Sequence, residues 1–401
     1  MSNKINYNFY TNFLGTSFFV LIIYICLISF DWCLKIYVNL NKLQPVIEAQ
    51  TIEKNYKKNI IFKAKEKREF GFKPMFYPKY FNKTKEYNAL NIKYSTLPLG
   101  VLPNTKYYVC DEGYGLTTFK SDKFGFWNSN NIYENNIDIM IIGDSISMNG
   151  CLHEKETFVG MLKKNYNVMN LSMGSNDPVH YASAAQIFIP HFKPKIVLMV
   201  FTRGDFIDHY SQKTHIYKKK FFDKKINYFD KKRTNLNFPE SYKKNLLDLL
   251  KEAQKLTDSN IGKYEKLTPV KKPSIFKRFG IMLSTHYKLT YILNVLINKN
   301  YLPYGNLLAL NTLNENCKIF DCIGTIAYIP GSSFWRPDSR QNKHAALLNE
   351  KSNMLEKLKF LNLTKSFENL DIEGYSPKGS HLSIKGNKIV FDKLINFFKD
   401  F

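Results

Sequence analysis

The sequence predicts an α/β fold built on a parallel sheet covered by helices on both faces. Short, continuously apolar runs recur at "IDIMII", "YNVMNLSM", "KPKIVLMVF" and "GTIAYIP". Segments of helical pattern separate them, among them "EKETFVGMLKKN" and "PVHYASAAQIFIPHF". Strands buried on both faces read as unbroken apolar runs, and strands alternating with helices indicate parallel pairing. The chain has 401 residues, 44% hydrophobic and 15% aromatic, enough for a substantial core in one large domain or two smaller ones.

Taken in order, residues 1–12 form a short tail. "FLGTSFFVLIIYICLISF", Phe13 to Phe30, carries no charge and sits at the lower limit for a bilayer-spanning helix. "WCLKIYV" extends it, placing Trp32 and Tyr37 at the interface, so a single uncleaved anchor is expected over residues 13–37. Lysines follow the anchor, which read naively keeps the domain in the cytoplasm, but long domains translocate largely regardless of charge. The expectation is an inner-membrane protein with its domain on the periplasmic side.

Residues 38–95 are polar and Lys-rich, an expected linker or stalk, and residues 96–401 form the expected domain. Its opening, "PLGVLPNTKYYVCDEGYGLTTFKSDKFGFWN", gathers Gly, Pro and aromatics in the manner of short strands and turns. Residues 211–300 break the α/β rhythm. "ESYKKNLLDLLKEAQKL" is amphipathic, and the region reads as a basic helical insertion usable as a lid, a membrane contact or a dimer face. The α/β pattern resumes with "GTIAYIP" and ends in the helix "SIKGNKIVFDKLINFFKDF".

A formal charge of +24 invites a nucleic-acid reading. Basic residues are instead spread along the whole chain beside abundant Asn, Ile, Phe and Tyr, so no nucleic-acid partner is expected; an anionic lipid or acidic polysaccharide is as good a match. None of the six cysteines forms a CxxC pair or a zinc-spaced cluster, so neither a metal nor a cofactor is expected. Cys317 and Cys322 are close enough to bridge, although buried free thiols are the plainer reading.

In an open parallel sheet, ligands bind at the carboxyl ends of the strands. The first strand ends in Gly143-Asp144-Ser145. A serine there can attack a carbonyl while its own N–H holds the developing oxyanion. On the tripeptide alone, a helix cap at Asp144 or Ser145 is the better account. The second strand leads to Gly174 and Ser175, whose backbone N–H groups are candidate oxyanion donors. The third leads to "FTRGDFID", where Arg203 can receive an anionic substrate. His381 precedes the last helix in "GSHLS". His180, His209 and His215 read as satisfied or solvated histidines, and Cys151 as packing.

In the order of these blocks the chain resembles the SGNH, or GDSL-type, hydrolases, over roughly residues 100–401 outside the insertion. The upstream "SDKFGFWN" is similar to membrane-anchored bacterial members. The resemblance implies a three-layer, flavodoxin-like sandwich, with Ser145 as nucleophile and His381 as base. It implies an oxyanion hole from Ser145, Gly174, Ser175 and Gly204, with Asp144 and Asp205 beside the substrate. Two positions depart from the family pattern: Gly204 stands where an oxyanion Asn is usual, and Lys378 where the acid three residues before the histidine is usual. Asp371 is the favoured replacement acid, with Glu373, Asp205 and Asp208 as alternatives, or a Ser–His dyad working alone. The implied activity is an esterase or O-acyltransferase acting on an acylated envelope glycan or lipid. The alternative is a degenerate relative that binds glycan or organises an envelope assembly.

Overall fold

The computed structural model describes residues 63–77, 85–94, 98–206, 240–265, 302–331, 341–368, 370–399 and 401, with scattered helical positions between Phe18 and Ser29. The chain divides into two compact units, Met1–Lys63 and Ala64–Phe401. In the first, the expected anchor at 13–37 falls largely outside the described residues. No helix among the described residues is long and apolar enough to cross a membrane.

The second unit holds two sheets. The smaller has the order β1-β2-β3, from β1 (Lys73–Pro74), β2 (Lys106–Tyr108) and β3 (Thr118–Lys120). Helix α1 (Lys85–Tyr94) accompanies it. The larger sheet is entirely parallel, with strands β4 (Ile139–Ile142), β5 (Val168–Asn170), β6 (Ile196–Phe201), β7 (Ile323–Tyr328) and β8 (Leu358–Asn362). Their order is β5-β4-β6-β7-β8, the flavodoxin-like arrangement in which the chain steps outward first to one side of β4 and then to the other. Helices α2 (Ser145–Met148), α3 (Phe158–Leu162), α4 (Pro178–Phe192), α5 (Glu240–Glu265), α6 (Tyr304–Phe320), α7 (Gln341–Asn353), α8 (Thr364–Glu368) and α9 (Ile384–Phe398) complete the unit.

The unbroken apolar strands are explained by two cores. Met140, Ile142, Val197, Met199 and Phe201 face α4, α6 and α7. Ile139, Ile141, Leu198 and Val200 face α3, α8 and α9. Successive residues of one strand thus serve opposite layers, each buried side chain contributing about 1.5–3 kcal/mol.

Three expectations change here. The segment expected as linker enters the fold earlier: Phe76 is fully buried, Met75, Tyr87 and Leu90 are buried with it, and the compact unit begins at Ala64. Part of the expected insertion is likewise integral. Leu249, Leu250 and Ala253 of α5 are buried, and Gln254 donates to the Pro74 carbonyl at 3.0 Å. Four of the cysteines are bridged, Cys110–Cys151 and Cys317–Cys322, where free thiols were expected.

Candidate active site

The candidate site is built at the carboxyl end of β4, where the sheet order reverses, the place at which open parallel sheets bind ligands. Gly143 is needed for a close approach: a Cβ on it would lie 2.1 Å from Ser147 Oγ. Asp144 caps α2, accepting the Ile146 N–H at 2.8 Å and the Thr202 hydroxyl at 3.2 Å. The capping task thus falls to Asp144, and Ser145 follows as the first helical residue, half-buried at the tip of the strand. Burial pushes the Asp144 carboxyl above its ordinary value, while the Ile146 N–H and the charge of His381 work against that rise.

The turn after β6 lies beside Asp144. Asp205, expected beside substrate, is buried instead, its two oxygens accepting the Thr202 N–H at 2.7 Å and the Tyr181 hydroxyl at 3.0 Å. Burial and the Asp144 charge push its pKa well up, against those two donors. Its work is to close the Thr202–Asp205 turn. Arg203 and Gly204 are left exposed on that turn. The Gly204 N–H donates to Thr202 Oγ1 at 3.2 Å, and a Cβ on Gly204 would stand 4.0 Å from Asp144 Oδ2. Gly204 thus flanks the site, although its N–H is turned into its own loop.

Of the two expected donors after β5, Gly174 is committed elsewhere. Its N–H meets Met148 Sδ at 3.3 Å, and the Tyr77 ring lies where its Cβ would be. Ser175 is half-buried with a left-handed backbone, φ 66°.

His381 sits in a tight hairpin before α9. Tyr375 pairs with Leu382, the Ser376 N–H reaches the His381 carbonyl at 2.8 Å, and the Tyr375 hydroxyl donates to the Pro330 carbonyl at 2.7 Å. The carboxylate that meets the imidazole is Glu112, a residue that sequence reasoning missed. Its Oε1 lies 2.7 Å from His381 Nδ1, and its other oxygen accepts the His381 backbone N–H at 3.2 Å. Burial pushes the Glu112 carboxyl up, but the hydrogen bonds and charge of His381, with Ser376, outweigh it and hold the group below its usual range. An ionised carboxylate fixes the tautomer: Nδ1 carries the proton and Nε2 is left as the base.

Glu112 reaches this place from the loop between β2 and β3. Asp111 Oδ1 accepts the N–H groups of Gly113 and Gly115, which bends the loop. Gly113, at φ 105°, packs on Pro377, and the Lys378 N–H donates to the Glu112 carbonyl at 3.1 Å. A Cβ on Gly379 would fall 1.7 Å from the Glu112 carboxyl carbon, so the hairpin passes under the acid only because residue 379 has no side chain.

The carboxylate at His381 Nδ1 is thus Glu112, which was not among the expected acids. Asp371 lies in the Asp371–Gly374 turn, with its side chain outside the described atoms, and Asp208, His209 and His215 also fall outside the described residues. Glu373 is exposed and paired with Lys385. His180 is buried at the start of α4 in a reciprocal cap with Asp177. Glu112, Cys151 and His381 bring three donor atoms within 4.8 Å of one another, but Cys151 Sγ is bonded to Cys110 and has no thiolate to offer a metal.

No family model matches the chain, and no curated protein matches it. Solved structures with similarity to it include TesA, at 10% identity and TM-score 0.36 over 66% of this chain and 98% of that one. An alpha/beta hydrolase enzyme from the metagenome of Lake Arreo, Spain, is 12% identical at TM-score 0.31, over 65% and 94%. A catalytic mutant of an acetylxylan esterase from Geobacillus stearothermophilus is 12% identical at TM-score 0.30, over 65% and 94%. At these values the likenesses carry no argument about chemistry. The strand order of the large sheet is what agrees with the fold implied by the resemblance to SGNH/GDSL-type hydrolases.

Proposed function

We propose that the protein is a serine esterase or O-acyltransferase in which Ser145, His381 and Glu112 act as nucleophile, base and orienting acid. The observation that carries this is the 2.7 Å contact between Glu112 and His381 Nδ1. A histidine before the last helix is held in one tautomer by an ionised carboxylate. Ser145 Oγ attacks the ester carbonyl and passes its proton to His381 Nε2, while Glu112 stabilises the imidazolium that forms. The Ser145 backbone N–H supplies one donor to the oxyanion. His381 then returns the proton to the leaving alcohol, and water or a sugar hydroxyl resolves the acyl-enzyme.

The substrate class is an ester on an envelope glycan or lipid, met by a domain outside the inner membrane. Two disulfides support an oxidising compartment. Exposed helical apolar residues, Phe18, Leu21, Ile22, Tyr24 and Ile25, support an N-terminal anchor.

A fluorophosphonate probe tests the chemistry. Labelling should map to Ser145, vanish in Ser145→Ala and fall sharply in His381→Ala. The competing reading, a glycan-binding module without turnover, draws on Gly204; it is favoured if the folded wild type takes no label.

A further inference from the structure

We infer that the Cys110–Cys151 disulfide is a positioning element of this site, holding Glu112 against His381, so that the acid is in place only in the oxidised protein. The inference rests on the proposed Ser145–His381–Glu112 chemistry and names its control. Ser145 follows β4 of the large sheet and His381 lies in the hairpin before α9, whereas Glu112 belongs to a loop of the small sheet. The sulfur bridge joins the two bodies at the site itself. Cys110 lies two residues before Glu112, and Cys151 lies six residues after Ser145. Cys151 Sγ is also 3.5 Å from His381 Nδ1, so the bridge packs on the same edge of the imidazole that Glu112 engages.

What else holds the loop is weak by comparison. The Thr117 hydroxyl donates to the Gly150 carbonyl, the Lys378 N–H to the Glu112 carbonyl, and Gly113 rests on Pro377. The Glu112 carboxylate adds the N–H groups of Ser380 and His381 and the imidazole itself, but every one of these holds is noncovalent and can open locally without global unfolding. The disulfide is different in kind. It closes a stretch of 41 residues covalently and sets a high effective concentration of the carboxylate beside the imidazole. Cys317–Cys322 closes only five residues between α6 and β7, far from these loops in the chain, and serves as an internal control.

The switch chemistry balances with a dithiol reductant. Its thiolate attacks one sulfur of the bridge, its second thiol resolves the mixed disulfide, and Cys110 and Cys151 become thiols as the reductant becomes a cyclic disulfide.

The test is a cycle on the full chain with p-nitrophenyl acetate as probe, comparing wild type, C110S/C151S, E112Q and the combined variant, with C317S/C322S as control. Loss of the bridge should lower kcat about 10-fold or more, the worth of a hydrogen bond to a charged group, with KM within about twofold. In the E112Q background, removing the bridge should cost less than about twofold further, because the two changes act through one contact. Equal losses in both backgrounds would mean general stabilisation only and would overturn the inference, as would full activity without the bridge. Dithiothreitol added to folded C317S/C322S opens the one bridge then left among the described residues and covers poor folding of C110S/C151S. Histidine-ring NMR reads the contact without turnover. The His381 Nδ1–H signal bonded to Glu112 should be present when oxidised and lost on reduction; its persistence refutes the inference. Failure of Ser145 labelling in oxidised wild type refutes the hydrolase reading and leaves the NMR result to decide the positioning role.

Discussion

Replacing Glu112 by Gln is the sharpest test of how this site works. The side chain keeps its shape, which matters because Gly379 leaves no spare room beneath the carboxyl group. What is lost is the charge 2.7 Å from His381 Nδ1 and one of the two oxygens that accept from His381. A hydrogen bond to a charged group is worth about 1.5–3 kcal/mol, and about 1.36 kcal/mol is a factor of ten in rate, giving a loss of about 10- to 10²-fold in kcat. A ceiling comes from Coulomb's law: unit charges about 4 Å apart at an effective dielectric of about 20 interact by about 4 kcal/mol, or about 10³-fold. Glu112 is only partly buried, so the lower range applies. KM should hold, because the imidazolium that Glu112 stabilises forms only on the way to the transition state. The assay is steady-state hydrolysis of p-nitrophenyl acetate with Ser145→Ala as the zero. If Glu112→Gln stays within about twofold of wild type while Ser145→Ala is dead, the acid has no part in the mechanism and the site is a bare dyad.

Three further outcomes follow from the same contacts. Gly379→Ala puts a methyl 1.7 Å from the Glu112 carboxyl carbon and should displace the acid, so its kcat falls by the same factor as in Glu112→Gln; a larger loss in KM than in kcat would contradict this. Gly204→Asn restores an amide where one is missing. A Cβ there meets only Thr202 Oγ1 at 3.4 Å and Asp144 Oδ2 at 4.0 Å, so the melting temperature should hold while kcat rises, by about tenfold if the new donor reaches the oxyanion. Because Glu112 is held below its ordinary 4.5, its contribution to stability is complete above that value and is lost as pH falls through the lowered folded value. Urea midpoints of wild type should therefore fall more steeply than those of Glu112→Gln below about pH 4.5; parallel curves would deny the contact.

The large sheet was legible because its signal is local. Met140 and Ile141 point to opposite cores, so the strand reads as one apolar run, and the helices between strands carry their own period. The places of Ser145 after β4 and of His381 before α9 were legible for a similar reason, each lying in a short block at a predictable strand end or helix start. Glu112 was not. It meets His381 across 269 residues of sequence, from a loop with no periodicity, and the contact depends on a neighbour's missing side chain at Gly379. The available signal was indirect: "CDEGYG" sets an acid between a cysteine and two glycines, Gly113 and Gly115, both of which take positive φ. Asp205 misled in the opposite direction, a motif-like acid whose oxygens are spent on its own turn and on Tyr181.

The two departures from the family pattern do not weigh equally against turnover. Lys378 stands where an acid is usual, yet the place that acid would serve is filled, since Nδ1 of His381 already faces an ionised carboxylate. Lys378 takes part in the replacement through its backbone N–H, which holds the Glu112 carbonyl and so needs no particular side chain. On the proposed chemistry, Gly204 is then the one departure that costs catalysis. A single oxyanion donor is worth about 10²–10³-fold, against accelerations of about 10⁶-fold or more for enzymes at large. On the proposed chemistry, such a site would be slowed by the missing amide and would still turn over.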